Sequence, residues 1–186
     1  IADRISETIK TGDIVIFLCR PVNFVKSLLS DSIGSKLIPF GTFAILLGVM
    51  TYVSKISFPG IDIFLLFVVY GILLVFFQIV LEIMIGGLSF WLTEIWGVRS
   101  SINQILWILS GRALPLSLFP QVMQKVLQWT PFFYLEYTFA RIYLGKVPFN
   151  EALIAMGIFI VWIFLLVLLM RFLYWRGFRK LETLGG

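Results

Sequence analysis

Long apolar runs, separated by short polar segments, dominate the sequence and predict membrane-spanning helices. An α-helix rises about 1.5 Å per residue, so about 20 apolar residues cross the roughly 30 Å hydrocarbon core of a bilayer. Two runs are the clearest, because no charged residue occurs from 63 to 81 or from 152 to 170. We predict four spans, at about 37–57, 63–90, 100–118 and 150–172.

The first 36 residues predict two amphipathic helices that are too short or too polar to cross a membrane. Ile1, Ile5 and Ile9 recur every four residues, which predicts one apolar stripe on a short helix that stops at Gly12. A second stripe follows Pro21 and comprises Val22, Val25, Leu28, Leu29 and Ile33. We therefore expect residues 1–36 to lie at the membrane interface or to dock against a partner protein. An interfacial lead-in helix without a partner is the alternative.

Residues 111–148 differ from the predicted spans because they hold four of the seven prolines. Short helices are expected between these prolines, such as Gln121–Trp129 after Pro120. Apolar, proline-broken segments between two spans are typical of a re-entrant hairpin. Such backbone survives at membrane depth only where it is buried against protein or lines an aqueous cavity. We predict a re-entrant region at 111–148.

The composition supports an all-α integral membrane protein and excludes several kinds of chemistry. Of the 186 residues, 60% are hydrophobic and 13% are charged, and the mean hydropathy is +1.00. Soluble domains have about 25% charged residues. The absence of histidine excludes Ser-His-Asp catalysis and histidine metal ligands, and the single Cys19 excludes an internal disulfide. Since the sequence also lacks a phosphate-binding G-x-x-x-x-G-K-[ST] loop, we expect no enzyme activity, cofactor or metal in this chain.

Nine of the fifteen basic residues lie near the ends of the chain. The net charge is +5, and the basic residues cluster within 1–36 and after the last apolar run. Basic residues beside apolar segments mark cytoplasmic faces, so both ends are expected on the cytoplasmic side of the cell membrane, which four spans allow. We expect lipid rather than nucleic acid as the surroundings, because no nucleic-acid-binding module is visible.

Three segments resemble a known family. Residues 7–21 read ETIKTGDIVIFLCRP, and this segment resembles the cytoplasmic coupling region of type-2 ABC transporter permeases, in which an acidic residue, a Gly-Asp pair, a Leu and a Pro recur at this spacing. Residues 109–120 (LSGRALPLSLFP) are similar to that family's span end and re-entrant entry. Residues 130–132 (TPF) and 140–145 (ARIYLG) resemble the segment that follows.

The resemblance implies a permease subunit that forms the pathway for ATP-driven transport, with export as the expected direction. A separate ATP-binding subunit would hold ATP and Mg, and a second, identical or related permease would complete a dimer. The chain most resembles the bacterial subgroup in which permease and ATPase are separate polypeptides. Family members usually have six spans, so we expect two N-terminal spans to precede Ile1.

The candidate functional residues fall into three groups. According to the resemblance, six residues couple the permease to the ATPase: Glu7, Gly12, Asp13, Leu18, Arg20 and Pro21. The resemblance also places six residues in the re-entrant region: Gly111, Pro115, Pro120, Pro131, Arg141 and Gly145. The residues themselves indicate Gln78 and Glu82 as pathway candidates, because they lie one helical turn apart within an apolar run.

Each of these assignments has a plainer alternative. For the acidic residues of the coupling segment the alternative is that they are solvated charges, with Asp13 capping a helix. For Glu82 the alternative is a position among the headgroups. An outer-surface ion pair is an alternative for Glu136 and Arg141. Tyr52, Trp91, Trp107, Tyr174 and Trp175 are interpreted as interfacial anchors. For the whole chain, an accessory membrane subunit without its own pathway is the main alternative, and a lipid-modifying enzyme is disfavoured because no convergent set of catalytic residues is visible.

Overall fold

A computed structural model describes residues 2–11, 24–54 and 60–184, and all regular structure in these ranges is helical. The seven α-helices of these ranges are α1 (Ala2–Lys10), α2 (Phe24–Ser54), α3 (Ile61–Gly87), α4 (Trp96–Leu109), α5 (Gln121–Leu127), α6 (Glu136–Tyr143) and α7 (Phe149–Leu184). Short 3-10 turns lie at Leu88–Phe90, Leu116–Leu118 and Pro131–Tyr134. The predicted all-α class is confirmed for the described residues.

Two stretches of the described chain are long and apolar enough to cross a membrane. They are Ile61–Phe90, with 30 residues, and Phe149–Lys180, with 32 residues. Only 17% of the most apolar window of the second stretch is buried within the chain, so most of its apolar surface faces outward, unlike a core helix of a soluble protein. These stretches match the predicted spans at 63–90 and 150–172, while the count of four spans stays a prediction.

The other two predicted spans correspond to helices with different bounds. α2 joins most of the second amphipathic stripe, from Val25 to Ile33, and most of the predicted span 37–57 in one helix, with Pro39 inside it, while Val22 lies outside the described residues. α4 has 14 residues, a length of about 21 Å, and it ends before the predicted limit at 118. The reason is Gly111, whose φ of +86° is a left-handed conformation that ends the helix. A continuous helix over 100–118 is therefore not observed.

The first of two compact units contains Ile1–Ile56, Phe77–Arg99 and Leu166–Gly186. Its core includes Ile5 and Ile9 of α1, which confirms the predicted apolar stripe for these two residues. α1 approaches the last turn of α3 at Gly86, where an added Cβ would lie 2.8 Å from the Ile5 Cβ. α7 approaches the same turn at Gly87, where a Cβ would lie 2.7 Å from the Tyr174 ring. Two adjacent glycines thus allow two helices to pack against one turn.

Tyr174 was interpreted as an interfacial anchor, and that interpretation is wrong. The ring is buried, it lies edge-on to Phe90 with the ring centroids 5.7 Å apart, and its hydroxyl donates a hydrogen bond to the Ile83 carbonyl at 3.0 Å. The absence of a side chain at Gly87 leaves the space that the ring occupies. The other four aromatic residues of that group are exposed in the chain.

The second compact unit contains Ser57–Phe76 and Ser100–Leu165. Its core is centred on Tyr70, whose ring stacks on Phe159 and on Phe139 at centroid distances of 5.4 Å and 6.3 Å. The Tyr70 hydroxyl donates a hydrogen bond of 2.6 Å to the Tyr134 carbonyl. A single side chain of α3 thus holds a 3-10 turn, α6 and α7 together.

The close packing of α7 against Phe90 predicts a position-specific effect of adding one methyl group. In Gly177→Ala the new Cβ would overlap the Phe90 ring, whereas in Gly157→Ala, on the same helix, it would meet open space. We expect Gly177→Ala to lose about 1–3 kcal/mol of stability and Gly157→Ala to lose none, because alanine favours a helix by about 0.5–1 kcal/mol. Thermal unfolding in detergent micelles measures both, and equal shifts would contradict the packing.

The buried Tyr70 hydrogen bond predicts a second effect on stability. Tyr70→Phe keeps the ring stacking but leaves the Tyr134 carbonyl without its donor, which should cost about 1–3 kcal/mol. Tyr52→Phe is the matched control, because the Tyr52 side chain is 87% exposed and its hydroxyl is accessible to solvent. If both variants unfold at the wild-type temperature, the hydrogen bond does not stabilise the second unit.

Candidate functional site

The polar face of α1 is the starting point of the candidate site. The helix buries Ala2, Ile5, Ser6 and Ile9 on one side, so its charged residues project from the other. Asp3, Arg4, Glu7 and Lys10 are exposed. This helix begins the segment that the sequence assigned to coupling.

Arg99 joins α1 to the end of α3. Its guanidinium donates a hydrogen bond to the Asp3 carboxylate, and its Nη2 lies 3.3 Å from Oε2 of Glu82. The Ala2 amide adds a longer bond of 3.4 Å to the same Glu82 oxygen. We call Arg99, Asp3, Glu82 and the Ala2 amide the Arg99 network. It links three elements of the first unit: α1, the last turns of α3 and the first turn of α4.

Partial burial strengthens the Glu82–Arg99 pair of this network, whereas the Asp3 side chain is mostly exposed. The Glu82 side chain is 17% exposed and the Arg99 side chain 26% exposed, so water screens this pair less than an open surface pair. Burial lowers the pKa of the Arg99 guanidinium, but the nearby Glu82 and Asp3 carboxylates outweigh this effect, and the pKa lies above its ordinary value. The stabilisation from Arg99 is therefore present throughout the physiological pH range and is lost only above its folded-state pKa.

Arg99 and Asp3 were missed by the sequence reasoning. Their separation of 96 residues leaves no local spacing signal that would pair them. The only sequence signal was a charge at 99 at the end of the polar segment 94–99. Glu82 was predicted to line a pathway with Gln78, and the structure places its carboxylate in the Arg99 network. The pathway role of the two residues stays a prediction.

Of the six residues assigned to coupling, only Glu7 lies among the described residues. Glu7 lies on the exposed face of α1. Gly12, Asp13, Leu18, Arg20 and Pro21 lie outside the described residues. A second contact links α1 to α2, because Arg4 forms a 3.0 Å ion pair with Asp31. Both side chains of that pair are mostly exposed, so it should contribute less than 1 kcal/mol.

A groove of about 300 Å³ lies beside α1. We call it the α1 groove. It is lined by Asp3, Ser6, Glu7, Lys10 and Thr11 of the α1 segment and by Glu94, Ile95 and Trp96. In the ranges that the structure describes, no group of three or more potential ligand residues could hold a metal ion. The polar and charged residues of the groove can form hydrogen bonds and charge interactions.

The residues assigned to the re-entrant region lie at the ends of short helical elements in the second unit. Gly111 and Gly145 adopt left-handed φ values of +86° and +63° and end α4 and α6. After α6, Gly145 donates its amide to the Ile142 carbonyl and Lys146 donates to the Arg141 carbonyl, the Schellman pattern. The predicted succession of short elements between prolines is thus observed. Its entry into the membrane stays a prediction.

The prolines of this region lie at or just before the starts of those elements. Pro115 precedes Leu116–Leu118, Pro120 precedes α5, and Pro131 is the first residue of its 3-10 turn. These positions suit proline, because the first turn of a helix needs no donor from its amide. The helix predicted at Gln121–Trp129 starts at the expected residue and ends at Leu127.

The ion pair that was considered between Glu136 and Arg141 is not formed. Glu136 instead pairs with Arg112. The backbone explains this choice, since the Tyr137 amide donates to the Ser110 carbonyl at 3.1 Å and brings Arg112 beside the start of α6. The guanidinium of Arg141 lies 5.7 Å from the centroid of the Tyr137 ring, and its Nη2 donates to the Lys146 carbonyl at 3.4 Å.

The Arg99 network predicts that one cation holds α1 in place. Arg99→Gln leaves the Glu82 carboxylate without its ion-pair partner, so the α1 amides should exchange with deuterium at least several-fold faster. Arg4→Gln is the control, because it removes an exposed pair from the same helix and should change exchange little. Hydrogen exchange of residues 2–10 in detergent measures both. Equal protection in the two variants would show that Arg99 does not hold the helix.

Comparison with known proteins identifies the family. The sequence model of one family, described as ABC-2 family transporter protein, matches residues 1–185. No curated protein and no solved structure matches the chain. The match confirms the resemblance to type-2 ABC permeases, and the family agrees with the two span-length apolar helices. The chain is a membrane protein that belongs to the ABC-2 transporter family.

Proposed function

We propose that the chain is the permease subunit of an ABC transporter. With a second, identical or related permease it forms the pathway for ATP-driven transport, with export as the direction, and a separate ATP-binding subunit supplies the energy. Three observations support this proposal: the family match over residues 1–185, the two span-length helices, and a sequence without a P-loop. ATP and Mg would be held by the partner subunit.

The family match carries the assignment as a permease, and the Arg99 network supports the proposed coupling to the ATP-binding subunit. The last four residues of α1 belong to the segment 7–21 that resembles the coupling region, and α3 contains one of the two span-length stretches. Ile5 packs on Gly86, the Ala2 amide bonds to Glu82, and Arg99 bridges Asp3 and Glu82. These contacts join α1 to the end of α3 at several points. A partner that pulls or pushes α1 would therefore move the end of a membrane span.

The expected topology agrees with this mechanism. The basic residues that accompany α1 and follow the last apolar run favour a cytoplasmic position for both. An ATP-binding subunit docks from the cytoplasm, where ATP is available. On this proposal, Glu7 and the residues from Gly12 to Pro21 would form the docking segment, and the Arg99 network would transmit the motion that docking and ATP binding produce.

The proposal predicts that breaking the Arg99 network uncouples the two subunits. In a complex reconstituted from the full-length permease and its ATP-binding subunit, Arg99→Gln should retain the subunit but reduce permease-dependent ATPase stimulation at least several-fold. Arg4→Gln should leave stimulation near wild type, because its ion pair is exposed. The measurement is phosphate release with and without permease.

Two other outcomes would contradict the proposal. If wild-type permease neither binds the ATP-binding subunit after gentle detergent extraction nor changes its ATPase rate, the accessory-subunit alternative is favoured. If Arg99→Gln binds and stimulates as well as wild type, the network does not transmit motion. The exchanged pair Glu82→Arg with Arg99→Glu tests the charge interaction directly, since it should recover part of the stimulation lost in either single variant.

A further inference from the structure

The last turns of α7 have one buried face and one exposed face. The buried face packs within the first unit and contains Met170, Tyr174 and Gly177. Four exposed residues, each one or two helical turns from the others, share the opposite face: Phe172, Trp175, Arg176 and Arg179. We call these four residues the α7 patch. It combines two cations with two aromatic rings on one helix surface.

The aromatic rings of the α7 patch hold its guanidinium groups. The Arg179 Cζ lies 3.9 Å from the centroid of the Trp175 ring, and the Arg176 Cζ lies 5.0 Å from the centroid of the Phe172 ring. A guanidinium over a ring face still has N–H donors at its edge. Within the described ranges, neither Arg176 nor Arg179 forms an ion pair with a carboxylate. These donors can therefore bind an anion from outside the chain.

The place of the α7 patch along the helix matches the headgroup layer of a bilayer. The charge-free run 152–170 is about 28 Å long at about 1.5 Å per residue, close to the roughly 30 Å hydrocarbon core. The α7 patch follows this run directly. Because side chains on an α-helix lean toward its N-terminus, Arg176 and Arg179 lean back toward the membrane. The two guanidiniums therefore reach the depth at which lipid phosphates lie.

The charge of this segment selects an anionic partner. Residues 171–180 contain four basic residues and no acidic residue. Basic clusters directly after a membrane span attract anionic lipids, and a guanidinium can bind a phosphate through two parallel N–H bonds. Exposed aromatic rings suit a lipid better than an acidic protein surface, because Trp is stabilised at the boundary between headgroups and acyl chains. In a zwitterionic lipid, the headgroup's own cation already balances the phosphate charge.

We propose that the α7 patch binds the headgroup of an anionic phospholipid in the leaflet where α7 ends. The guanidinium edges of Arg176 and Arg179 bond to the lipid phosphate, and Phe172 and Trp175 lie beside the start of the acyl chains. This inference goes beyond the proposed function, because it requires only that α7 crosses a membrane. The bound lipid would lie on the face of α7 opposite to the one that packs on Phe90.

The test is native mass spectrometry of the full-length permease, extracted into detergent with equal amounts of phosphatidylglycerol and phosphatidylcholine of the same acyl chains. Wild type should retain phosphatidylglycerol in preference by roughly five-fold or more, and Arg176→Gln with Arg179→Gln should remove most of this preference. Lys125→Gln with Lys146→Gln is the matched control, because both lysines are exposed and the same two charges are lost away from the α7 patch. The control should keep the wild-type preference.

Two further variants separate charge from geometry. Arg176→Lys with Arg179→Lys keeps both charges but loses the planar donors, so its preference should be intermediate. Trp175→Leu keeps both arginines and should lower the preference a few-fold through lost stacking. This variant also keeps the test decisive if the double glutamine variant does not fold.

Four outcomes would overturn the lipid site. They are a wild type without preference for phosphatidylglycerol, an unchanged preference in the double glutamine variant, an unchanged preference in Trp175→Leu, and an equal loss in the lysine control. The last outcome would mean that net charge alone attracts the lipid. If the double glutamine variant instead loses the ATP-binding subunit and keeps its lipid preference, the α7 patch is a protein-docking surface. None of these outcomes bears on the proposed transport function.

Discussion

Arg99 is the residue on which the arrangement of the first unit depends most. Two carboxylates from elements far apart in sequence, Asp3 and Glu82, converge on its guanidinium. Removing a partly buried cation from such a pair leaves an uncompensated charge, which costs more than forming the pair gains. The position of α1 is therefore sensitive to this single residue. That sensitivity makes the same contact suitable for passing a mechanical signal.

Close helix contact is the second constraint, and glycine provides it. The last turn of α3 carries Gly86 and Gly87, and each faces a bulky side chain where a Cβ would overlap. Gly177 of α7 likewise leaves space for the Phe90 ring, which an added Cβ would overlap. With a Cβ at these positions, Ile5, Tyr174 and Phe90 would have to shift. The close packing and the Arg99 network thus both lie at the end of this span.

The second unit shows how a chain interrupts long helices. Left-handed glycines end α4 and α6, and prolines precede or begin the elements that follow. Backbone groups at the helix ends form hydrogen bonds with other elements, as in the bond from the Tyr137 amide to the Ser110 carbonyl. A buried backbone group that lacked such a partner would cost free energy. The region is therefore ordered by its own hydrogen bonds.

The sequence by itself determined the helical class, the two clearest spans, the buried stripe of α1 and the proline-bounded short elements. These features follow from composition and from periodicities of a few residues, which local backbone physics controls. The family resemblance was also visible in the order of its motifs. Only the tertiary structure decided that Glu136 pairs with Arg112, that Tyr174 is buried, and that Arg99 holds Asp3 and Glu82. Those contacts join residues that are between 17 and 96 positions apart in the sequence. Local sequence patterns cannot predict them, because only the folded chain brings these residues together.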